Sequence, residues 1–144
     1  MSLQPIEPVT PSDAVYRRLF GWPVKWRGDQ PFLVLEHGIC AVTLPKMNAA
    51  PVLGRLAATG CQGPAVVVPT PHGQRVAVLA ETDGLIPPQS ALPRAVEVLA
   101  WGALLPLPPA PRRGDFGTEW LVAPDPQRRW LPSLDAVLAG IHRQ

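Results

Sequence analysis

The chain has no long hydrophobic run and only two cysteines, and these shortages exclude several classes of protein. No apolar stretch approaches the roughly 18 residues that a transmembrane helix needs, and the N-terminal region lacks the basic and apolar parts of a secretory signal. Cys40 and Cys61 form neither a CxxC pair nor a framework of four or six cysteines, so neither a zinc site nor a disulfide scaffold is indicated. We therefore expect a cytoplasmic protein with no membrane partner.

The sequence also lacks the signatures of common enzyme classes. It contains neither of the glycine-rich loops that bind phosphates, G-x-x-x-x-G-K-[ST] and G-x-G-x-x-G, and no G-x-S-x-G turn for a nucleophilic serine. The net charge is +2, from 13 basic and 11 acidic residues, which is too even to indicate nucleic-acid binding by itself. The sequence thus predicts no cofactor and no metal ion, and it favours a binding role over catalysis.

What the chain does contain is enough apolar sequence for a core and many residues that interrupt secondary structure. Its 144 residues fit one domain, and 47% of them are hydrophobic while 17% are charged, which separates the chain from disordered proteins. The 20 prolines and 12 glycines predict short elements, because proline donates no ladder hydrogen bond and ends helices. We expect a polar N-terminal tail over residues 1–9 and a single domain over residues 10–144.

The order of short apolar runs and turns indicates an α+β, or mixed α/β, fold. We expect about six or seven short, mostly antiparallel strands arranged in hairpins, together with about three helices. The C-terminal helix is the clearest element, because its apolar residues follow the spacing i, i+3, i+4, i+7. The predicted elements, in order, are a helix capped by Thr10, strands at 32–35 and 39–44 around a tight turn, a helix from Asn48 to Gly60, a hairpin of 65–68 with 76–79, strands at 95–99, 103–107 and 120–122, and a helix carrying Leu134, Val137, Leu138 and Ile141.

Short segments in a particular order along the chain indicate a family. Gly21-Trp22-Pro23-Val24 follows the first predicted helix, and the segment Pro69–Arg75 precedes a predicted strand. Val96-Glu97-Val98 is followed by Gly102-Ala103-Leu104-Leu105-Pro106. In this order and spacing the segments resemble the N-terminal domain of bifunctional DNA primase/polymerases, which belong to the archaeo-eukaryotic primase superfamily. The resemblance runs from about Ala14 to Pro111 and implies a primase/polymerase-like domain.

The same comparison identifies family residues that this chain lacks. In the family, two aspartates one residue apart on a strand hold the divalent metals of nucleotide addition, and a histidine after a turn contacts the nucleotide. Here the aspartate positions fall at Thr43 and Pro45 and the histidine position at Val76, while Glu97 matches a third acidic residue. Because Mg²⁺ needs several oxygen ligands, the resemblance implies a degenerate member without the catalytic metal site.

The candidate binding residues lie on two predicted surfaces. The resemblance places Arg75, His72 and Glu97 around the former cleft, where an arginine suits phosphate. Trp22 and Arg27 are candidates for stacking the bases of a single strand. Simpler roles are open for two of them, His72 as an exposed turn residue and Trp22 as a core side chain. The primary hypothesis is a non-catalytic domain that binds a nucleotide, a nucleic acid or a protein partner.

The alternative hypothesis is a protein-interaction module that binds no nucleotide. It depends on the five tryptophans and on the proline-rich segment 104–111. Such a segment could present a polyproline II ligand to an aromatic groove, or it could cover the edge of a sheet. Titration with nucleotides and short single-stranded DNA distinguishes the two hypotheses.

Overall fold

Strands, most of them short, are the commonest regular elements of the described chain, in keeping with the many prolines. The computed structural model describes residues 16–18, 20–28, 30–108, 118–125, 127–128 and 130–142. The predicted tail and the helix start at Thr10 lie outside these ranges, whereas residues 16–18 and 20 are helical. The α+β class is confirmed. The strands are β1 (Val24–Arg27), β2 (Gln30–Leu35), β3 (Ile39–Pro45), β4 (Ala65–Thr70), β5 (Gly73–Glu81), β6 (Glu97–Leu99), β7 (Ala103–Pro106) and β8 (Glu119–Val122), and the helices are α1 (Ala49–Ala58) and α2 (Leu134–His142), with short 3-10 helices at Lys46–Asn48 and Gln89–Ala91.

The strands of the described chain form two antiparallel sheets. One has the order β1-β2-β7 and the other the order β6-β3-β5-β4-β8. The predicted hairpin of β4 and β5 is confirmed, with Thr70 opposite Gly73. The predicted tight turn between β2 and β3 is present, but the expectation that these strands form a hairpin is wrong, because β2 pairs with β1 and β7 while β3 pairs with β5 and β6. Both strands are largely buried, and an apolar pattern does not specify which neighbour completes a buried strand.

Both helices cover the same face of the five-stranded sheet. α1 follows Asn48 and buries Ala49, Val52 and Leu56. The start of α2 is capped by Ser133, whose Oγ accepts a hydrogen bond from the N–H of Ala136 at 3.1 Å. The predicted spacing of α2 is confirmed, because its buried apolar residues pack against β3, β4 and β5 as one core. The members of this core on α2 are Leu134, Val137, Leu138 and Ile141.

The opposite face of the five-stranded sheet is covered by the three-stranded sheet and an aromatic cluster. In this cluster the Trp22 ring stacks on Tyr16 and Phe20, with centroid distances of 5.7 and 4.9 Å. The Tyr16 hydroxyl donates to the carbonyl oxygen of Pro108 at 3.0 Å and accepts from the indole N–H of Trp120 at 3.1 Å. Burial raises the pKa of Tyr16, so this hydroxyl stays protonated and keeps both hydrogen bonds.

Candidate functional site

The structure brings together three of the residues that the resemblance places at the former cleft. Thr43 on β3 lies opposite Glu97 on β6, and the Arg75 side chain on β5 reaches Thr43. Val76, at the histidine position, is fully buried on the other face of the sheet among the core residues that contact the helices. A side chain at position 76 therefore points away from Thr43 and Glu97, because successive strand residues alternate between faces.

Arg75 forms hydrogen bonds that connect three segments of the protein. Its Nη2 donates to the carbonyl oxygen of Thr43 at 3.1 Å, to the Thr43 hydroxyl at 3.0 Å and to the carbonyl oxygen of Ala95 at 2.6 Å. Ala95 has a φ of 67°, a left-handed conformation that is strained for a residue with a side chain. The guanidinium thus holds an unfavourable turn against the sheet, which is a structural role.

The positions that the resemblance assigns to a metal site offer little for metal chemistry. Thr43 is 7% exposed, and the neighbouring Pro45 has no side-chain ligand atom. Within the described ranges, no group of three or more His, Cys, Asp or Glu side chains could hold a metal ion. At this position the protein therefore presents one exposed carboxylate, that of Glu97, beside a guanidinium whose Nη2 hydrogen bonds are made within the fold.

The remaining candidate residues lie apart from this group. His72 is exposed at the tip of the β4–β5 hairpin, where its backbone N–H donates to the Thr70 hydroxyl at 3.2 Å. Arg27 is exposed on β1, and its guanidinium lies 5.7 Å from the centroid of the Phe32 ring. Trp22 is 4% exposed, and aromatic neighbours cover it, so its ring is inaccessible to a base. The structure does not combine these three side chains into one surface.

The described part of the proline-rich segment is built into the sheet. Residues 103–106 form β7, which pairs with β2 at the edge of the three-stranded sheet. Leu105 is 1% exposed and Leu107 is 0% exposed, and Pro108 is also buried. As far as Pro108, the segment therefore covers β2 and the core, while residues 109–111 lie outside the described ranges.

Two tight turns lie side by side at the other end of the sheets. In the first, His37 and Gly38 have φ values of 58° and 88°, and in the second Trp101 and Gly102 have φ values of 58° and 87°. Positive φ at both central positions is the geometry of a type I′ turn. Each turn carries the chain from one sheet to the other, and the N–H of Gly102 donates to the carbonyl oxygen of Leu35 at 2.7 Å. The indole of Trp101 is thereby held outside the core and is 74% exposed.

The turns border two adjoining cavities, which we call the turn-side cleft. Their volumes are about 510 and 260 Å³, and both are lined by His37, Gly38, Thr82 and Asp83. The larger cavity includes Leu85, which is 78% exposed, and the smaller includes Trp101. Of the residues that the structure describes, no lysine or arginine lines either cavity, and the carboxylates that do so are those of Glu36, Glu81, Asp83 and Asp135.

The turn-side cleft is therefore acidic and bordered by exposed apolar side chains. His37 is the one basic side chain among the described residues of the cleft, and the Nε2 of His37 lies 3.4 Å from a carboxylate oxygen of Glu36. An anionic group such as phosphate would be repelled here, whereas a cationic group would be attracted. The sequence predicted the tight turn at Glu36-His37-Gly38, but it carried no sign that the turn at Trp101-Gly102 lies beside it.

Comparisons of the chain with protein-family models, with curated proteins and with solved structures find no match. Among the described helices, none is long and apolar enough to cross a membrane.

Proposed function

We propose that the chain is a non-catalytic, primase/polymerase-like domain that acts by binding a protein partner. The order of the family-like segments, together with short antiparallel strands, supports the primase/polymerase-like part. Thr43 and Pro45 at the positions of two metal-binding aspartates support the non-catalytic part, because neither offers a carboxylate ligand. The turn-side cleft is the surface that supports a protein partner.

One observation carries the choice of partner: Trp101 and Leu85 are exposed beside a cleft lined by carboxylates. They are 74% and 78% exposed, and large apolar side chains left in water favour association. Tryptophan is also enriched among the residues that contribute most to protein interfaces. The tight turn at Trp101 and Gly102 fixes the backbone position of Trp101, so little backbone conformational entropy is lost on binding.

Charge complementarity then defines the partner's chemistry. Four carboxylates and a single histidine border the cleft, so the complementary surface is basic. We propose a protein segment that carries lysine or arginine side chains next to an apolar one, with the apolar side chain packed on Trp101. The nucleotide version of the primary hypothesis finds less support, because the Nη2 hydrogen bonds of Arg75 are made within the fold and Trp22 is buried.

The proposal includes a cytoplasmic location. Both cysteines are free, with Cys40 buried and Cys61 half-buried. Free cysteines are usual in the reducing cytosol, whereas secreted domains of this size often carry disulfides.

Peptide binding tests the proposal. We would titrate the protein with short fluorescent peptides that alternate arginine or lysine with leucine, phenylalanine or tryptophan. The control peptides carry glutamate in place of each basic residue. We expect binding of the basic peptides only, with an affinity that falls as salt is added. Trp101→Ala should weaken the best peptide about 30-fold, which is the loss of about 2 kcal/mol typical of an interface tryptophan.

Trp130→Ala is the matched control, because Trp130 is 54% exposed but lies outside the turn-side cleft. It should leave peptide binding unchanged, and neither variant should change the free energy of unfolding by more than about 0.5 kcal/mol. The proposal is wrong if basic peptides bind no better than acidic ones, or if Trp101→Ala binds like the wild type. Nucleotide incorporation on a primed template by the wild-type protein would contradict the non-catalytic part.

A further inference from the structure

A separate cavity, at the end of β3 opposite the turn-side cleft, has the reverse charge. It lies between Pro45, the start of α1 and the loop before β6, and its volume is about 180 Å³. Arg55 and Arg94 line this cavity together with Asn48, and no described Asp or Glu does. We propose that this arginine pocket, defined by Arg55, Arg94 and Asn48, binds the phosphate group of a small ligand. The inference is independent of the protein-binding function.

Arg55 is held in place by one nitrogen of its guanidinium, Nε. Its Nε donates to the carbonyl oxygen of Gly140 in α2 at 2.7 Å, and the residue is half-buried between the two helices. Its two terminal nitrogens donate no hydrogen bond to any residue that the structure describes. A guanidinium anchored through Nε leaves terminal N–H groups for an oxyanion and loses little freedom on binding it.

Arg94 reaches the pocket from a loop that several hydrogen bonds hold. Arg75 binds the carbonyl oxygen of Ala95, and the side-chain amide of Gln89 donates to the carbonyl oxygen of Val96 at 2.7 Å. Arg94 itself is exposed, and it makes no ion pair within the described ranges, where the only ion pair joins His37 and Glu36. Among the described residues, two positive charges therefore face one cavity without a neutralising carboxylate.

The size and lining of the pocket limit the ligand. A volume of 180 Å³ is about six times the share of one water molecule in the liquid, which is enough for a phosphate group. It is below the roughly 300–1,000 Å³ of pockets that enclose a whole drug-sized ligand, so a larger molecule would leave its body outside. Met47, which is 88% exposed at the rim, offers an apolar contact for that body. The start of α1 adds a favourable partial positive charge, but the two arginines carry the proposal.

Titration with inorganic phosphate and pyrophosphate at constant ionic strength tests this inference. Adenosine monophosphate and a short oligothymidylate, added separately, distinguish a nucleotide or a nucleic acid from free phosphate as the source of the group. We expect at least one of the four probes to bind the wild type. Arg94→Ala should weaken that probe about tenfold, as expected for the loss of one charge-assisted hydrogen bond. Because Arg94 is exposed and makes no ion pair with a described residue, this variant should fold like the wild type.

Arg18→Ala is the matched control, since it removes an exposed arginine that does not line the pocket and should leave phosphate binding unchanged. Arg55→Lys should also weaken binding while keeping the charge, because lysine cannot hold both Gly140 and the ligand. The inference is overturned if none of the four probes binds at about 10 mM, a concentration at which even millimolar affinity is detected, or if Arg94→Ala binds like the wild type. Peptide binding at Trp101 should be unchanged in Arg94→Ala, so each proposal can fail without the other.

Discussion

Replacing Arg75 with methionine tests whether this residue stabilises the sheet. Methionine keeps a long apolar side chain and removes the guanidinium. In the structure, that group donates from Nη2 to the carbonyl oxygens of Thr43 and Ala95 and to the Thr43 hydroxyl, over distances of 3.1, 2.6 and 3.0 Å. We expect the substitution to lower the free energy of unfolding, because the left-handed turn at Ala95 loses its attachment to the sheet.

The magnitude follows from the number of hydrogens and from burial. A hydrogen bond to a charged group contributes about 1.5–3 kcal/mol, and Nη2 carries two hydrogens for its three acceptors. Arg75 is only partly buried, so water can replace part of the hydrogen bond that the carbonyl oxygen of Ala95 loses. Thr43 is 7% exposed, so water compensates less for the hydrogen bonds lost there. We therefore expect a loss of about 2 kcal/mol, which lowers the Tm of a domain of this size by about 7 °C.

Urea denaturation followed by tryptophan fluorescence measures this difference. Arg27→Met is the matched control, because Arg27 is exposed and contacts only the Phe32 ring among its described interactions. That variant should change the free energy of unfolding by less than about 0.5 kcal/mol. If Arg75→Met unfolds at the same urea concentration as the wild type, the structural role assigned to Arg75 is refuted.

Two further predictions concern close packing and thiol ionisation. Gly63→Ala should destabilise the protein by about 2 kcal/mol, because a Cβ would lie 2.6 Å from the Pro132 ring. Gly54→Ala in α1 should stabilise the protein by about 1 kcal/mol, because its Cβ would have no neighbour within 4 Å. Thermal melts of both variants test these two expectations. Burial disfavours the Cys40 thiolate and raises the pKa of this thiol to about 11. The stability that the neutral, buried thiol contributes should therefore be complete below about pH 8.5, the ordinary cysteine pKa, and be lost as pH rises towards 11. Thiol labelling at pH 8 should accordingly modify Cys61 first, and equal labelling rates would contradict the prediction.

Elements with a local signal could be predicted from the sequence. The i, i+3, i+4, i+7 spacing locates α2 because all of its contacts with the sheet come from one face of a single helix. The β4–β5 hairpin is equally local, since its turn and both strands are contiguous. β2 pairs with the neighbouring β1, but its other partner, β7, and both partners of β3 lie far along the chain. These distant pairings have no local signal.

The grouping of residues that the resemblance predicts around Thr43 is found only in part, for a geometric reason. Thr43 and Glu97 were placed by the resemblance, and the structure puts them opposite each other. Val76 was placed there too, but a shift of one residue along a strand moves a side chain to the other face. Arg75, one residue earlier, is the β5 side chain that reaches Thr43.

The turn-side cleft had no signal that a single sequence could reveal. Its carboxylates at Glu36, Glu81 and Asp135 come from distant parts of the chain. They meet because β3 pairs with β5, which sets Ile39 opposite Glu81, and because Glu81 forms a bridge with Ser133 before α2. Only the pairing of strands brings the segments that carry these carboxylates to one end of the sheets.

The separation of charge along β3 explains why composition predicted so little about binding. One end of this strand sets Ile39 opposite Glu81, and the other sets Pro45 opposite Arg75. At roughly 3.4 Å per residue the two ends are about 20 Å apart, more than twice the screening length of about 8 Å at physiological salt. A ligand at either end therefore experiences the local charge and hardly that of the other end. The net charge of +2 sums both ends, so its small value is compatible with an acidic cleft and an arginine pocket in the same domain.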